Sequence, residues 1–312
     1  MHSLVIPVYR NAESLPELLG AIAELAGRIE QPLEVVFVVD GSPDQSYALL
    51  RERLPAMPFA SQLLLHARNF GAFAAIRSGL AVARGDQLAV MAADLQEPIG
   101  LAEKFFALLA RDEADVVVGT RSSRADPFAS RLASSLFWRL YRAWIQPDVP
   151  AGGVDVFGCT RAFRDDLLAL GEANSSLIGQ LFWLGQRRAV VPYERLPRRH
   201  GRSAWSFSRK LKYLMDSLFA FSDLPVRLLM LTGMLGLVTA MVLGGVVFTA
   251  RLLGAVPIAG YTMTMITLLF FGALNTFGLG LIGAYVWRAY ENTKQRPLAV
   301  VYRSHEYGGG SR

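Results

Sequence analysis

Two short acidic segments of the sequence carry side chains that suit divalent cations and phosphorylated ligands. The segment DGSPD covers residues 40–44, and the segment DLQEP, which covers 94–98, contains Asp94, Gln96 and Glu97. Magnesium prefers carboxylate and amide oxygens and often bridges them to substrate phosphates. The two segments therefore predict a site for a nucleoside diphosphate and its metal. For either segment alone, a solvated strand-end loop with a helix N-cap explains the acids equally well.

Composition limits the other classes of site. The chain has 312 residues, a net charge of +6, 52% hydrophobic residues and a single cysteine, Cys159. One cysteine excludes an internal disulfide and a zinc site built on paired cysteines. The Walker sequence GxxxxGK[ST] does not occur, which disfavours the ordinary kind of ATP site. The net positive charge favours an acidic partner, either a nucleic acid or an anionic membrane surface.

The acidic segments follow predicted strands. Short apolar runs alternate with helical patterns, which predicts an α/β fold with a mostly parallel sheet and helices on both faces. Ligands in such sheets bind beyond the carboxyl ends of the strands. The strands are predicted at 3–8, 33–39, 62–66, 87–91 and 115–119, and the helices at 13–27, 44–54, 70–83 and 99–109. The rule for ligands then selects the loops 7–13, 40–44, 94–98 and 119–121.

The last third of the sequence is unusually apolar. Asp, Glu, Lys and Arg are absent from 228–250 and again from 252–287. A membrane-spanning helix needs about 20 apolar residues. We therefore predict two spans, at 228–250 and 262–287, joined by a loop at about 252–261. Two buried core helices of a soluble protein are the alternative, but such long uncharged runs are rare in soluble cores.

Basic residues flank both predicted spans on one side. Arg227 precedes the pair, Arg288 and Lys294 follow it, and the intervening loop carries only Arg251. The positive-inside rule then places both termini in the cytoplasm, and the first residues lack the pattern of a signal peptide. The predicted organisation is a cytosolic domain over 1–225, two transmembrane helices within 226–290, and a cytosolic tail over 291–312.

Two basic amphipathic segments interleave arginines with aromatic residues, at about 128–145 and 206–222. Helices of this kind lie in the headgroup layer when they adjoin membrane spans. We therefore expect the lipid bilayer, and no nucleic acid, to be the acidic partner. Arginine also binds two phosphate oxygens at once, so some of these side chains could hold a lipid phosphate.

Taken together, these segments resemble the family 2 polyprenyl-phosphate glycosyltransferases, which have a GT-A fold. That family includes dolichol-phosphate mannose synthases and bacterial undecaprenyl-phosphate sugar transferases. The resemblance runs in order through nearly the whole chain. It rests on the stretches 6–18, 38–46, 67–80, 91–98, 117–121, 191–203, 221–228 and 285–301.

The resemblance implies an activity. A sugar moves from a nucleoside-diphosphate donor to the phosphate of a membrane polyprenol, such as undecaprenyl phosphate, with inversion, for the synthesis or modification of cell-surface glycans. It implies a Rossmann-like GT-A domain at the bacterial inner membrane with Mg²⁺ or Mn²⁺ as cofactor. Relatives also suggest a homo-oligomer, and small residues on the second span permit close helix contact. These are Gly272, Gly278, Gly280 and Gly283.

The resemblance also implies site residues in three groups. The nucleotide pocket is lined by Pro7, Tyr9, Glu13 and Asp40. The divalent cation is held by Asp94 and Gln96, with Glu97 as a further possible ligand. The catalytic and phosphate-binding residues are Asp94, Arg121, Arg198 and Ser203, of which Arg121 engages the acceptor phosphate.

Three positions depart from the pattern of that family. Ala92 replaces the first acid of Asp-X-Asp, Val39 replaces the first of the acidic pair before Gly-Ser, and Ala204 replaces a frequent lysine. The first change removes a metal ligand or a catalytic acid. Two alternatives therefore stay open: a catalytically impaired member that acts as a membrane scaffold, and a family 2 transferase with another lipid acceptor.

Overall fold

The structure is a computed structural model that describes residues 1–121, 139, 142–143, 146–150, 154, 156–197, 207–253 and 260–308. Its first part alternates strands and helices. The elements are β1 (His2–Val8), α1 (Leu15–Arg28), β2 (Leu33–Val39), α2 (Ser46–Arg53), β3 (Ala60–His66), α3 (Ala72–Val82), β4 (Gln87–Val90), α4 (Gly100–Ala110) and β5 (Val116–Arg121).

Further along the chain come β6 (Val156–Thr160), α5 (Arg161–Ala169), α6 (Leu177–Trp183), β7 (Arg188–Tyr193), α7 (Phe207–Phe221), α8 (Leu224–Leu252), α9 (Tyr261–Thr293) and β8 (Val301–Tyr307). The predicted α/β class is confirmed, and the predicted strands and helices of the first 121 residues agree with the structure to within two residues at most ends. The sequence analysis did not predict β6, β7 or β8.

The described strands form one sheet in the order β7-β5-β6-β4-β1-β2-β3-β8. Neighbours β1, β2, β3 and β4 are parallel, as are β5 and β7, while β6 and β8 run antiparallel to their partners. Because β6 is antiparallel to both β4 and β5, β5 runs in the same direction as β4. The carboxyl ends of β1, β2, β4, β5 and β7 therefore lie at one edge of the sheet, which we call the rim.

Hydrophobic side chains fill both faces of the sheet. Every residue of β2 is buried, as expected for a parallel strand covered by helices on both sides. On α1, the residues Leu15, Leu18, Ile22 and Leu25 follow the helical period and are buried against one face. Helices α3, α5 and α6 cover the other face, where Leu214, Leu218 and Phe221 of α7 also contact the core.

Two stretches of the described residues are long and apolar enough to cross a membrane, Leu224–Ala250 and Phe270–Thr293. In the apolar part of each stretch, only 0% and 6% of the residues are buried within the chain. They lie in α8 and α9, close to the predicted spans at 228–250 and 262–287. The amphipathic segment predicted at 206–222 is α7. The segment predicted at 128–145 lies outside the described residues, apart from 139 and 142–143.

Strand β8 differs from the predicted tail at 291–312. Val301–Tyr307 pairs antiparallel with β3 and forms an edge of the sheet. Side chains secure the pairing, because Tyr47 Oη lies 2.8 Å from His305 Nε2 and Arg84 Nη2 lies 2.6 Å from Glu306 Oε1. The α/β domain is therefore built from residues on both sides of the two apolar helices.

Candidate active site

The loop after β1 is held in place by the loop after β2. The backbone N–H of Arg10 donates to Ser42 Oγ at 2.8 Å, and that of Ala12 donates to Asp44 Oδ2 at 3.0 Å. Burial by itself would raise the pKa of Asp44, but hydrogen bonds from Ser42, Ser46 and the Ala12 N–H outweigh burial and lower that pKa. Asp44 is therefore an anionic anchor for the neighbouring loop.

The residues predicted to line the nucleotide pocket begin this rim. Pro7 lies near the carboxyl end of β1, Tyr9 follows it and is half-buried, and Glu13 is exposed just before α1. Arg10, between them, has φ +57, a left-handed conformation that non-glycine residues seldom adopt outside tight turns. The turn directs the chain away from the sheet and leaves the ends of β1 and β2 side by side.

Asp40 is buried and fully engaged. Its Oδ1 accepts from His66 Nδ1 at 2.8 Å and from the Phe70 N–H at 2.9 Å, and its Oδ2 accepts from the Gly71 N–H at 2.8 Å. The other ring nitrogen of His66 lies 3.0 Å from Ser78 Oγ. Asp40 thus fixes the loop after β3 against the rim. The sequence analysis did not identify His66 as a partner of Asp40.

Gly41, next to Asp40, is required by close packing. It has φ +56, and a Cβ there would lie 2.3 Å from the carbonyl carbon of Arg68. Only glycine permits this approach without displacing backbone atoms. The close approach places the exposed Arg68 beside the loops after β1 and β2, where its guanidinium lies 4.1 Å from the centre of the Phe70 ring.

The loop after β4 carries the predicted metal ligands. Ser14 Oγ donates to the carbonyl of Ala93 at 2.9 Å, which links this loop to the start of α1. Leu95 has φ +55, and the Gln96 N–H donates to Asp94 Oδ1 at 3.3 Å. The left-handed conformation of Leu95, a non-glycine residue, strains this turn. Strained turns of this kind cluster at functional sites.

The loop after β7 contacts the loop after β4. The Leu196 N–H donates to the Gln96 carbonyl at 2.8 Å, and Arg195 Nη2 donates to Gln96 Oε1 at 2.6 Å. Arg195 Nε lies 3.9 Å from an oxygen of Glu97, whose side chain is only 3% exposed. The sequence analysis assigned no role to Arg195. Its position at the predicted metal loop was not readable from spacing, because nearly 100 residues separate the contacting groups.

Arg121 is the last residue of β5, where its register partner is Tyr193 of β7. Strand β6 separates β5 from β4, so the ends of β5 and β4 lie about 10 Å apart across two strand spacings. Arg121 is therefore on the same edge as Asp94 but two strands away. The remaining predicted residues, Arg198 and Ser203, lie outside the described part of the chain.

The side chains at the rim determine whether a metal ion could bind there. Within the described residues, no three His, Cys, Asp or Glu side chains lie together as metal ligands. Magnesium, however, is usually held by one or two carboxylates together with substrate phosphates. The side-chain oxygen Oε1 of Gln96 has two lone pairs, so it can accept from Arg195 and still bind a cation. Asp94 and Gln96 therefore fit a cation that arrives on a diphosphate, whereas Glu97 is buried against Arg195.

A family model described as "Glycosyl transferase family 2" matches residues 3–170, which is more than half of the chain. The chain belongs to glycosyltransferase family 2. The matched residues contain β1 to β5 and the loops after β1, β2 and β4 that form this rim. Membership makes the protein a glycosyltransferase, as the resemblance implied.

Full-length relatives within family 2 extend the match beyond the α/β domain. CsbB of Bacillus subtilis (strain 168), which carries a provisional glycosyltransferase name, is 30% identical over 96% of this chain and 90% of its own length. The bactoprenol glucosyl transferase of Shigella phage SfII is 28% identical over 97% of this chain and 98% of its own length. Both matches include the region of the two apolar helices.

Solved structures support the GT-A fold. Glucosyl-3-phosphoglycerate synthase from Mycobacterium tuberculosis, solved with Mn²⁺, uridine diphosphate and phosphoglyceric acid, aligns with a TM-score of 0.51. The alignment covers 70% of this chain and 77% of that one at 14% identity. At this identity the likeness concerns the fold, and it confirms the predicted GT-A architecture.

Proposed function

We propose that the protein transfers a sugar from a nucleoside-diphosphate sugar to the phosphate of a membrane polyprenol such as undecaprenyl phosphate. Names of full-length relatives support this acceptor, since several are bactoprenol glucosyl transferases. The observation that carries the proposal is the return of the chain to the sheet after α9. Because β8 pairs with β3, the two apolar helices begin and end at the same α/β domain.

That connection favours a membrane hairpin. The helices α8 and α9 have 29 and 33 residues, so at about 1.5 Å per residue each exceeds the roughly 30 Å hydrocarbon core. Large side chains such as Leu235, Phe248 and Leu279 are exposed on them, and lipid would cover these surfaces. Two crossings return the chain to its starting side. Arg227 and Lys294 at the two ends support a cytoplasmic location for that side, at the bacterial inner membrane, because positive residues accumulate on the cytoplasmic side.

In this proposal the donor and the acceptor bind at the ends of different strands of the rim. The loops after β1 and β2, with Pro7, Tyr9 and Glu13, would hold the nucleoside. Asp94 and Gln96 would hold Mg²⁺ or Mn²⁺, which supplies positive charge to the departing diphosphate when it is bound. Arg121, two strands away, would engage the acceptor phosphate through its planar guanidinium.

The chemistry needs positioning more than proton transfer. An acceptor phosphate oxygen forms a bond to the anomeric carbon while the bond from that carbon to the nucleoside diphosphate breaks, with inversion. The phosphate monoester is already an anion at neutral pH, so no general base is required. Charge develops on the leaving diphosphate, and Arg195 lies beside Gln96 where it can stabilise that charge. Arg198 and Ser203 remain proposed partners of the same diphosphate.

The test is a donor screen on the full chain in lipid nanodiscs. Uridine, guanosine and thymidine diphosphate sugars are offered with undecaprenyl phosphate, with and without magnesium or manganese. We expect one donor to yield released nucleoside diphosphate and an equal amount of lipid-linked sugar. Asp94→Asn serves as the inactive control, and Asp86→Asn, at the opposite edge of the sheet, as the active one.

Three results would contradict the proposal in different ways. Transfer to diacylglycerol with undecaprenyl phosphate unused would assign another lipid acceptor. Donor binding without nucleotide release under any condition would favour a scaffold, as the alanine at position 92 allows. A retained anomeric configuration in the product would exclude the single displacement.

A further inference from the structure

The cytoplasmic end of α9 is joined to α7 by an ion pair. Arg288 Nη2 donates to Asp216 Oδ1 at 2.8 Å, and the two side chains are only 19% and 16% exposed. The same guanidinium donates through Nη1 to the carbonyl of Asn174 at 3.3 Å and lies 4.9 Å from the centre of the Phe219 ring. One arginine of α9 thus contacts α7 and the loop between α5 and α6.

Two more contacts reinforce this junction. The Ala173 N–H donates to Asn292 Oδ1 of α9 at 3.0 Å, and the rings of Phe219 and Tyr285 meet edge to face at 5.1 Å. On its other side α7 is fitted closely to α6, since a Cβ added at Gly179 would lie 2.2 Å from Phe221. The junction therefore has several contacts with defined directions.

Hydrogen bonds continue from the junction towards the rim. Gln180 of α6 donates to Glu172 at 3.3 Å and accepts from Arg77 of α3 at 3.4 Å. The buried guanidinium of Arg77 also donates to the carbonyls of Leu167 and Leu168, each at 2.8 Å, at the end of α5. Helix α3 begins directly after the loop that Asp40 fixes. Polar contacts, together with the short chain segments between them, thus connect α9 to α3, the helix that follows that loop.

A largely buried ion pair is poor evidence for stability, because desolvation offsets much of its attraction. Its geometry is the informative property, since a guanidinium with three partners in different directions fixes the relative orientation of the elements it joins. A nearby pair provides the contrast. Arg227 and Asp223 are also 2.8 Å apart, but both are exposed and lie one turn apart at the start of α8. That pair joins no separate elements.

We propose that Asp216 and Arg288 are positioning residues that fix the height and tilt of the rim above the bilayer. The inference rests on the proposed function, because it concerns access to a lipid acceptor. An acceptor phosphate in the headgroup layer can approach only as far as its lipid allows. The rim must therefore lie at a fixed height above the bilayer to reach that phosphate. A soluble donor, in contrast, can bind to the rim whatever the tilt of the domain.

The first experiment separates positioning from folding. Asp216→Asn, Arg288→Gln and the exchanged pair Asp216→Arg with Arg288→Asp are assayed as full chains in nanodiscs. For the single variants we expect the KM for undecaprenyl phosphate to rise about tenfold, within the range for such couplings, while the donor KM stays within about twofold. Turnover of a short, water-soluble prenyl phosphate stays unchanged, and the exchanged pair recovers most of the loss.

Asp223→Asn is the matched control, because it removes a neighbouring carboxylate and an ion pair of equal length that joins no separate elements. We expect its KM values to equal those of the unaltered protein. Equal losses with long and short acceptors, without recovery in the exchanged pair, would make Asp216 and Arg288 merely structural and overturn the proposal. Unchanged KM values would overturn it as well.

The second experiment needs no transfer activity. Spin labels are attached at Glu24→Cys on α1 and Leu279→Cys on α9, both exposed positions. The native Cys159 is fully buried, and burial raises the pKa of its thiol to about 12, so it stays unlabelled. We expect one narrow distance distribution in nanodiscs and a clearly broader one after Asp216→Asn.

The two experiments distinguish the failure of each proposal. A distribution as narrow in Asp216→Asn as in the unaltered protein would overturn the positioning role, whatever the acceptor. Broadening in that variant, in a protein that transfers sugar to no polyprenyl phosphate, would support the mechanical link and refute only the proposed function.

Discussion

The two halves of the rim are built differently. On the donor half, the loops after β1 and β2 hold each other through Ser42 and Asp44, across about 30 residues of sequence. On the other half, the loop after β4 is held by Arg195 and Leu196, which follow it by about 100 residues. The donor half is thus a local structure, whereas the other half exists only when distant segments meet.

Asp94 should matter most, because it is the carboxylate of the β4 loop that we propose as a ligand of the metal on the donor. We expect Asp94→Asn to lower kcat by about 1,000-fold, a loss of the size seen when a principal electrostatic group is removed. Single-turnover transfer in saturating manganese measures the effect. Near-normal turnover would show that this loop does not bind the metal. The comparison of the two halves of the rim would then lose its chemical basis.

Asp40 tests the donor half. Asp40→Ala leaves the buried His66 and two backbone N–H groups without their acceptor, so we expect the free energy of unfolding to fall by about 3 kcal/mol. Thermal unfolding of the full chain in detergent reports the change, with Asp86→Ala as an exposed control. An unfolding temperature equal to that of the control would mean that the loop after β3 is not held by Asp40.

Arg195 tests the other half. Arg195→Gln removes the guanidinium that joins the loop after β7 to the loop after β4. We expect the donor KM to rise about tenfold with a smaller change in kcat. Arg187→Gln is the matched control, because Arg187 precedes the opposite end of β7 and pairs with Asp112 and Asp115. If both variants have the same donor KM, the contact with Gln96 plays no part in donor binding.

The smallest effect comes from His2, far from the rim. Burial, and then the charge of the chain N-terminus, lower the pKa of His2, which stacks on Phe106. The unfolded chain therefore binds a proton more readily, and stability should fall as pH drops through about 6.5, by at most 1.4 kcal/mol per pH unit. Unfolding temperatures at pH 7.5 and 5.5 measure this. His2→Gln should flatten the difference, and a difference that persists unchanged would assign it to other groups.

The same contrast explains what the sequence could reveal. Strands such as β2 are continuous apolar runs, and α1 repeats apolar residues with the helical period, so both were predictable from local pattern. Segments DGSPD and DLQEP were predictable as rim loops, because the first directly follows the predicted strand 33–39 and the second comes shortly after the predicted strand 87–91. Those features depend on residues close in sequence.

The features that were not predicted depend on partners far away. Strand β8 contains Arg303, His305 and Glu306, has no buried side chain, and is a strand only because β3 offers an unpaired edge. The contact between Arg195 and Gln96 was not predicted, because the two residues are 99 positions apart in the sequence. Asp40 was predicted at the rim, but its hydrogen bonds to His66 and the loop after it follow from the close approach at Gly41.

The placement of β8 has a consequence for biosynthesis. About 235 residues separate the end of β3 from the start of β8, which a ribosome adds in roughly 10–50 s at ordinary rates of elongation. During that interval the outer edge of β3 lacks its partner, and in the membrane hairpin that we propose both apolar helices enter the bilayer before β8 can return. Completion of the sheet thus reports successful insertion, and a chain that stalls between the two events presents an open strand edge to proteases and chaperones.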